Sequence, residues 1–521
     1  MFTNLPRNLI PKFRQASLMP LRVREIVEGV LETPVKVPNY LGFDNPVVEI
    51  EKQISAYNNQ KHVAEYQNVD VVSLKRYFDN YKSNKKYWED TPFNQRKEVF
   101  LKAADLIENK YYNEMLAYTI AGQNKNIYEA EIDAVCELVD FLRFNVAYAD
   151  SIVNKQPIQT DDIRNVSEYN SLKGFVAAIT PFNFTAIGGN LASAPLLFGN
   201  SVIWKPSDNA ILSNHLFYEI MLEAGLPKGV LNFCPIEPEI FLNEIVKQDD
   251  LSGILFTGSS TIFDNIFQKV NENISTMSSY PRIIGETGGK NFHFVDTSFG
   301  PMVDYVVEKT IESAFNYSGQ KCSACSVMYV PESLLSMVIN KIKAQTDHYV
   351  NNMENYGLIN KKSYDRVTKI KDSFKTDGDV ELVYNGNDCE CESYYVEPNI
   401  VICRDHNHCV FNEEFFAPVL AIYPYNENDK EETVDLCVES NNYSLTGAVF
   451  SLDDEFTKYS HDKFRHKTGN FYINDKSTGS VVGQQPFGGS GKSGTNDKAG
   501  DINLLFRLFN QRNIKINHSI Y

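Results

Sequence analysis

Residues 173–205 read KGFVAAITPFNFTAIGGNLASAPLLFGNSVIWK, and this stretch decides the fold. Its two apolar runs, 174–179 and 201–204, are short and typical of buried strands. Between them, a turn with Pro181 and Asn183 leads into small residues that predict the start of a helix. A strand, a helix and a second strand in this order predict two parallel strands of one sheet.

The same pattern continues on the C-terminal side of this stretch. Residues 230–233, 253–258 and 282–286 predict further strands, with helical segments between them. Strands that recur roughly every 25 to 30 residues predict a doubly wound parallel sheet, and the fold class is therefore α/β. A second alternation of strands and helices, over 290–478, predicts a second α/β domain.

The flanking regions carry weaker patterns. Apolar residues at helical spacing predict helices within 93–120 and 128–147, whereas residues 26–80 are mixed. Residues 151–172 are polar and poor in helix formers, so we expect an extended arm or hairpin there. Residues 477–480 and 486–491 are too rich in glycine for regular structure.

Composition excludes several classes of function. The chain has 521 residues and a formal net charge of −17, which disfavours nucleic-acid binding because phosphates require clustered Lys and Arg. Its apolar runs are shorter than the roughly 18 residues that a membrane span needs. The nine cysteines are scattered, which favours a reducing compartment over a disulfide framework.

The first 25 residues are predicted to be a mitochondrial targeting segment. Basic residues precede the first acidic residue, Glu25, at positions Arg7, Lys12, Arg14, Arg22 and Arg24. A basic, acid-poor start is typical of a transit peptide and predicts the mitochondrial matrix. Pro6, Pro11 and Pro20 interrupt a helix, so the alternative is a disordered or surface-wrapping N-terminus, and with it a cytoplasmic protein.

Polar or glycine residues follow four of the predicted strands, at Asn183, Lys205, Gly258 and Glu286. Each residue alone is also compatible with an ordinary turn. Ligands of doubly wound sheets bind at the carboxyl ends of the strands, so the four positions together predict a binding site. A strand that ends at Gly258 and opens a helix suits phosphate, although the full GxGxxG pattern is absent.

Cys322 is the candidate nucleophile. It lies in a small, polar, glycine-containing segment, 314–325, and a thiol attacks only as thiolate. Cys322 and Cys325 also form a CxxC pair, which zinc proteins and thioredoxin-like proteins use. The remaining cysteines do not have zinc-ribbon spacing, and the pair does not follow an N-terminal βαβ unit. We therefore expect no metal site.

Six motifs occur together in a recognisable order. They are PFNF at 181–184, WKPS at 204–207, FTGS at 256–259, GETGGK at 285–290, GQKC at 319–322 and EFFAP at 414–418. In order and spacing they resemble the aldehyde dehydrogenase superfamily, over about residues 90 to 510. The resemblance implies a Rossmann-like NAD-binding domain, an α/β catalytic domain and a β-hairpin oligomerisation arm.

A narrower resemblance points to a substrate. GNFYINDKSTGS at 469–480, GQQPFGG at 483–489, SGTNDK at 493–498 and KNFHF at 290–294 are similar to the branch of the superfamily that oxidises glutamate 5-semialdehyde. This aldehyde is the open form of pyrroline-5-carboxylate, and the product is glutamate, in the second step of proline degradation. One alternative is another semialdehyde, and a second alternative is a non-enzymatic protein that keeps the fold.

The resemblance implies a role for each candidate residue. Among the catalytic residues, Cys322 attacks the aldehyde, Asn183 holds the oxyanion and Glu286 activates water. The residues implied in NAD binding are Thr180, Lys205, Ser207, Gly258, Ser259, Glu414 and Phe416. The residues implied in substrate binding are Ser323, Gly479, Ser480, Phe487 and Glu137. Asp208 disfavours a 2′-phosphate by repulsion and so favours NAD over NADP.

The implied organisation has five parts. Residues 1–25 are the targeting segment, 26–150 and 173–289 the NAD-binding domain, 290–478 the catalytic domain, 479–496 a loop that anchors the substrate, and 151–172 with 497–521 the oligomerisation flap of a homodimer or higher oligomer. Three positions depart from the superfamily pattern. Phe263 replaces a second glycine, Thr287 a leucine and Ala417 a glycine.

Overall fold

The computed structural model describes residues 5–14, 17–38, 50–352, 357–390 and 392–519. Up to residue 153 the chain is mostly helical and includes a small three-stranded sheet, ordered β1-β3-β2. The elements are α1 (Leu21–Glu32), β1 (Val35–Val37), β2 (Ile50–Ile54), β3 (His62–Gln67), α2 (Val71–Asp90), α3 (Phe93–Asp105), α4 (Tyr112–Gln123), α5 (Ile127–Glu131) and α6 (Leu138–Val153). The small sheet lies where the sequence pattern was mixed.

The next region forms the parallel sheet that the strand pattern predicts. Its elements are β4 (Ile163–Asn170), β5 (Phe175–Ile179), α7 (Thr185–Ser193), β6 (Ser201–Lys205), α8 (Ile211–Ala224), β7 (Leu231–Phe233), α9 (Pro238–Ile245), β8 (Leu251–Thr257), α10 (Ser260–Asn273) and β9 (Arg282–Glu286). Five parallel strands lie in the order β7-β6-β5-β8-β9. Ile179 pairs with Lys205 and with Phe256, and Thr257 pairs with Glu286. The strands therefore end at one common edge.

A second sheet follows, as the second alternation predicts. Its region contains β10 (Asn291–Val295), α11 (Val303–Phe315), β11 (Cys325–Pro331), α12 (Glu332–Asn352), β12 (Gly357–Leu358), α13 (Lys361–Phe374), β13 (Val380–Asn385), β14 (Asp388–Glu390), β15 (Tyr394–Val396), β16 (Asn399–Cys403), α14 (Cys409–Asn412), β17 (Val419–Tyr425), α15 (Lys430–Glu439), β18 (Tyr443–Ser444), β19 (Thr446–Phe450), α16 (Asp454–Lys463) and β20 (Asn470–Ile473). Seven strands lie in the order β13-β16-β17-β11-β10-β19-β20. Only β13 runs antiparallel to its neighbour among the described strands of this sheet.

The C-terminal residues return to the arm. They form β21 (Ser490–Gly491), α17 (Ile502–Leu505) and β22 (Asn510–Asn517), and β22 pairs antiparallel with β4 along its whole length. The extended arm expected within 151–172 is therefore present from residue 163, whereas α6 extends to Val153. The pairing explains why two segments far apart in sequence form one protruding ribbon.

Two predicted helices contain π-helical turns, over Leu106–Lys110 and Ile132–Glu137. The helix predicted at 128–147 is therefore present but consists of α5, a π-helical turn and α6. Such a turn inserts one residue into the helical repeat and often marks a functional site. The second turn ends at Glu137, one of the candidate substrate residues.

The N-terminal segment packs on the helical layer. The Asn8 side chain and the Leu9 backbone N–H donate to Asp140 at 2.8 and 2.9 Å. The backbone N–H groups of residues 12–13 donate to Glu131 at 2.9 and 2.8 Å. Charge-assisted hydrogen bonds of this kind are among the stronger ones in proteins. They attach the predicted targeting segment to the folded chain.

The cysteines are mostly free thiols. Seven free cysteines lie in the described part of the chain, whereas Cys389 is disulfide-bonded, which the scattered cysteines had not predicted. Among the described helices, none is both long and apolar enough to cross a membrane.

Candidate active site

Cys322 lies in a loop between α11 and β11 whose backbone is unusual. Tyr317 and Ser318 have positive φ angles of 54° and 52°, and Gly319 follows with 66°. Such angles cost energy for residues with a Cβ and persist only where the surroundings impose them. Here the Tyr317 hydroxyl donates to the Gln123 carbonyl at 2.8 Å. A Cβ on Gly319 would lie 2.2 Å from the carbonyl oxygen of Ala417, so a side chain is excluded there.

The Cys322 thiol is half-buried and free. Burial raises its pKa well above the ordinary value, and the nearby carboxylates of Glu286, Glu414 and Glu137 raise it further. Three of the acids chosen from the sequence therefore lie close enough to act on this sulfur. Cys325, in contrast, is buried at the start of β11, and its thiol donates to the Val327 carbonyl at 3.3 Å. The structure thus places Cys322, and not Cys325, at the site.

Asn183 approaches the same loop from the edge of the parallel sheet. Its side-chain amide is buried and donates to the Gln320 carbonyl at 3.0 Å. Gln320 lies two residues before Cys322, so the amide lies beside the nucleophile loop. An amide donor held in this way is suited to stabilise an oxyanion formed next to the sulfur.

Glu286 ends β9 and faces the glycine-rich loop near the C-terminus. Its Oε1 accepts a hydrogen bond from the Gly489 N–H at 3.1 Å. Burial raises the pKa of Glu286 to about 8, although the Gly489 N–H and the Lys498 charge counteract part of this effect. The Lys498 ammonium donates to the carbonyls of Gly488 and Gly469 at 2.6 and 2.7 Å. A carboxylate with a pKa near 8 is suited to general-base catalysis near neutral pH.

A buried ion pair that the sequence analysis missed supports Asn183. Lys125 and Asp133 are 2.7 Å apart and almost inaccessible to solvent. Asp133 also accepts from the backbone N–H groups of Thr185 and Ala186 at 3.0 and 2.8 Å, at the start of α7. This cap fixes the helix that begins directly after the Asn183 turn. The available sequence signal was weak, because Asp133 follows Ile132 in the helix predicted at 128–147 and lies beside its apolar stripe.

On the cofactor side, Lys205 ends β6 and is buried. Burial lowers its pKa, and Asp208 lies 3.5 Å from its ammonium group. The Thr180 hydroxyl accepts from the Trp204 indole N–H at 2.9 Å and keeps its own proton for another partner. Ser207 accepts from the Asn209 N–H at 3.4 Å and begins a short 3₁₀ turn.

The turn at Gly258 leads into α10 as predicted. Ser259 caps this helix, whose first turn has no acidic residue, so its N-terminus can accept a phosphate. A Cβ on Gly258 would lie 2.6 Å from the Phe256 ring, which favours glycine here. Phe263 stacks on Phe256 at 5.4 Å and covers Gly285, which explains the phenylalanine at this position.

Glu414 and Phe416 complete the cofactor side. Glu414 Oε1 accepts from the Gly289 N–H at 2.8 Å, and a Cβ on Gly288 would lie 1.9 Å from Oε2. Burial raises the pKa of Glu414 to about 7. Phe416 has a φ of 50°, and its ring meets Phe182 edge-on at 5.9 Å. Glu414 thus presents a fixed carboxylate able to accept ribose hydroxyls.

The candidate substrate residues Ser323, Gly479 and Ser480 lie on two segments that contact each other, one directly after Cys322 and the other at 477–480. Ser323 is buried, and its carbonyl accepts from the hydroxyls of Thr446 and Ser477, both at 3.4 Å. Ser477 opens the loop that carries Gly479, which has a φ of 87°, and Ser480. The two halves of the expected anchor, Ser323 and the 479–480 loop, are thus linked through Ser477.

Phe487 and Glu137 approach from other elements. Phe487 exchanges two backbone hydrogen bonds with Ala499, at 3.0 and 2.8 Å, which fixes its loop. Glu137 is half-buried in the π-helical turn, and burial together with the Asp133 charge raises its pKa to about 8. The Glu137 carboxylate also raises the pKa of the Cys322 thiol, by less than Glu286 and Glu414 do.

Thr287, which departs from the superfamily pattern, joins the base to the C-terminal loop. Its hydroxyl donates to the Lys492 carbonyl, and its N–H donates to the Ser493 carbonyl at 3.0 Å. A leucine could not make the first contact, so the threonine has a structural reason.

The chain resembles known proteins over most of its length. Residues 48–512 match the model of the aldehyde dehydrogenase family. The mitochondrial delta-1-pyrroline-5-carboxylate dehydrogenase of Dictyostelium discoideum is 42% identical over 480 residues, which cover 90% of this chain and 85% of that protein. The human protein of the same name is 41% identical over 477 residues, covering 90% of this chain and 84% of its own.

A solved structure shares the fold. The delta-pyrroline-5-carboxylate dehydrogenase of Mycobacterium tuberculosis superposes with a TM-score of 0.92 at 35% identity, covering 99% of this chain and 97% of its own. The same protein bound with NAD gives a TM-score of 0.91 at 34% identity, with the same coverage. The fold predicted from the six motifs is thereby confirmed.

Proposed function

The chain belongs to the aldehyde dehydrogenase family, and on that premise we propose that it oxidises L-glutamate 5-semialdehyde to L-glutamate with NAD. The substrate is the open form of 1-pyrroline-5-carboxylate, which gives the relatives their name. The observation that carries the proposal is the convergence on the loop that contains Cys322 of an amide donor, Asn183, and a half-buried carboxylate, Glu286. This is the set of groups that an acyl transfer through a thioester requires.

The first half-reaction forms a thioester. The Cys322 sulfur attacks the aldehyde carbon as thiolate. A carbon–sulfur bond forms, the π bond of the carbonyl breaks, and its electron pair moves to the oxygen. The Asn183 amide and the Cys322 backbone N–H hold the oxyanion of the resulting thiohemiacetal. NAD, when bound, would supply the hydride acceptor that allows the thiohemiacetal carbon to become the acyl carbon of the thioester.

The second half-reaction releases the acid. Glu286 takes a proton from a water molecule, whose oxygen attacks the thioester carbon. The carbon–sulfur bond breaks, its electron pair stays on sulfur, and Cys322 returns to the thiolate. The acid ionises and leaves as a carboxylate, its remaining proton passes to solvent, and Glu286 then loses its own proton to solvent. Asn183 and the Cys322 N–H serve again as oxyanion donors in this step.

The chain has a set of residues that fits NAD. The capped α10 N-terminus with Gly258 and Ser259 suits the pyrophosphate. The Lys205 ammonium lies 3.5 Å from Asp208 and can also donate to the adenine ribose, with Thr180 and Ser207 nearby. The fixed carboxylate of Glu414 suits the hydroxyls of the nicotinamide ribose, and the Phe416 ring packs beside it.

We assign the substrate's α-carboxylate to Ser323 and to the backbone N–H groups of Gly479 and Ser480. Glycine loops of this kind bind anions through N–H groups that point at the charge. The Phe487 ring covers the aliphatic chain, and the Glu137 carboxylate is placed opposite the α-ammonium group. The Asp208 carboxylate beside Lys205 disfavours the 2′-phosphate of NADP.

We propose a mitochondrial matrix location, which the names of the relatives support. The contacts of Asn8 to Phe13 favour a mature chain that keeps these residues, whereas the assignment of residues 1–25 as a targeting segment stays a prediction. Ile158, which lies between α6 and β4 at the base of the β4–β22 ribbon, is 87% accessible, and this exposed apolar residue supports a homodimer or a higher oligomer assembled through the arm.

The assignment of substrate is tested with purified protein, NAD and two aldehydes. NADH absorbance is followed with 1-pyrroline-5-carboxylate and, separately, with propanal, which lacks both charged groups. We expect a kcat/KM at least roughly a hundredfold higher for the first, since each lost charge contact costs about 1.5 to 3 kcal/mol. Turnover of propanal alone would identify a different aldehyde as substrate.

A further inference from the structure

His293 makes a set of buried contacts that the reaction itself does not use. It lies in the middle of β10 with no accessible surface. Its Nδ1 is 2.8 Å from the Thr310 hydroxyl, and its Nε2 accepts from the Ser477 backbone N–H at 3.2 Å. Because Nε2 accepts, the proton of the neutral ring lies on Nδ1 and is donated to Thr310. Burial lowers the pKa of His293 to about 3, which keeps the ring neutral.

Ser477 continues the contacts of His293 to the nucleophile loop. Its hydroxyl is 3.2 Å from His293 Nε2 and 3.4 Å from the carbonyl oxygen of Ser323. It also lies 3.0 Å from the Ser313 hydroxyl, which accepts from the Cys325 N–H at 3.3 Å. One serine therefore connects β10, α11 and both ends of the segment that follows Cys322.

Ser477 lies between the two segments that are assigned to the substrate's α-carboxylate. Ser477 is the first residue of the loop that presents Gly479 and Ser480, and the Ser323 carbonyl is one residue after Cys322. The two groups assigned to the substrate's α-carboxylate come from these two segments. A buried N–H left without an acceptor costs about 1 to 3 kcal/mol, so loss of His293 Nε2 would favour movement of the 477–480 loop.

We propose that His293 is a positioning residue that sets the spacing of the carboxylate-binding site by holding Ser477 between Ser323 and the 479–480 loop. The inference rests on the proposed function, because it requires a substrate with an α-carboxylate. In this role His293 contacts neither the substrate nor NAD. It follows that His293 acts on recognition of the carboxylate and not on the chemical step at Cys322.

The test compares two isosteric replacements. In His293→Gln the side-chain carbonyl can reach the place of Nε2 and accept from Ser477, whereas in His293→Asn the amide reaches only the place of Nδ1. The readout is inhibition of propanal oxidation by L-glutamate, the product, which has the same α-carboxylate as the substrate. Propanal has no carboxylate, so its kcat and KM report on the catalytic groups and not on the carboxylate-binding site.

We expect His293→Asn to raise the inhibition constant of L-glutamate roughly tenfold, with kcat and KM for propanal unchanged. His293→Gln should remain within about threefold of the wild type. Ser477→Ala keeps the histidine but removes the hydroxyl near Ser323, and we expect it to raise the same constant. If His293→Asn does not fold, Ser477→Ala is the variant that tests the inference.

Three results would overturn the inference. The first is an inhibition constant of L-glutamate that is unchanged in both His293→Asn and Ser477→Ala. The second is an equal change of this constant in His293→Asn and His293→Gln. The third is a loss of propanal turnover in His293→Asn that parallels the rise of the constant. A wild-type enzyme that oxidises propanal but is not inhibited by glutamate would instead remove the proposed substrate, and the inference with it. The two failures are therefore distinguishable.

Discussion

At the scale of single residues, the state of the Cys322 thiol needs explanation. Burial and three carboxylates raise its pKa, yet the proposed reaction needs the thiolate. Two lysines beside the loop that carries Cys322 are already paired, since Lys321 lies 3.2 Å from Glu129 and Lys125 lies 2.7 Å from Asp133. The Cys322 backbone N–H lowers the pKa of the thiol only in part, and the positive charge of the oxidised nicotinamide ring is a further candidate for stabilising the sulfur anion.

We therefore expect the pKa of the Cys322 thiol to fall when NAD is bound. The measurement is the rate of alkylation of Cys322 by iodoacetamide against pH, read by mass spectrometry of its peptide. The midpoint of the pH curve, and not the rate itself, is compared with and without NAD, because NAD also restricts access. The Cys325→Ala variant is the control. A midpoint that NAD leaves unchanged would show that activation has another source.

Glu286 leads to a prediction about pH. The group is a base only when ionised, and a pKa of about 8 leaves about a tenth of it ionised at pH 7. Hydrolysis of the thioester should therefore accelerate from pH 7 to pH 9 and then level off. In stopped-flow experiments, a burst of NADH at pH 7 should shrink as the pH rises. A burst whose size does not change with pH would argue against this carboxylate as the base.

At the scale of elements, the loop around 488–498 joins the base to the substrate anchor. Lys498 holds the loop through the Gly488 and Gly469 carbonyls, and its charge lowers the pKa of Glu286. Replacement of Lys498 by methionine should shift the rise in hydrolysis to higher pH, because that counteracting charge is lost. Lys498→Arg keeps the charge and is the matched control. Identical pH profiles for the two variants would show that the charge of Lys498 does not lower the pKa of Glu286.

The N-terminal segment leads to a prediction about stability. Asn8 and Leu9 bind Asp140, and two further N–H groups bind Glu131, on the helices that flank the π-helical turn with Glu137. Deletion of residues 1–14 should lower the free energy of unfolding by about 2 kcal/mol or more, because two buried carboxylates lose donors. Urea denaturation measures this, with deletion of residues 1–4 as the control. Equal stability of the two truncated proteins would show that the segment is dispensable.

At the scale of the whole molecule, the sequence predicts some features and not others for physical reasons. Buried parallel strands are short apolar runs, so β5, β6 and β8 and the polar residues at their ends were predictable locally. Contacts over long sequence separations were not, such as Asn8 with Asp140 or His293 with Ser477, which are 132 and 184 residues apart. The Lys125–Asp133 pair was also missed, because a buried charge resembles a solvated one until its partner is known.

The site shows the same division between local and distant features. The motifs mark the loop that contains Cys322 and the strand ends near Asn183 and Glu286. The structure brings these three residues to one site. Their surroundings depend on tertiary packing, as with the left-handed backbone at Tyr317 and the π-helical turn before Leu138. Propensity and periodicity contain no signal for either feature, because the rest of the fold imposes both.

The central claim is that the substrate becomes a thioester on Cys322 and that Glu286 is needed to hydrolyse it. The most direct test is mass spectrometry of Glu286→Gln after incubation with NAD and 1-pyrroline-5-carboxylate. We expect a glutamyl adduct on the peptide that contains Cys322, accumulating because water is no longer activated, and absent when NAD is omitted. An adduct on Cys325, or one that clears at the wild-type rate, would contradict the account.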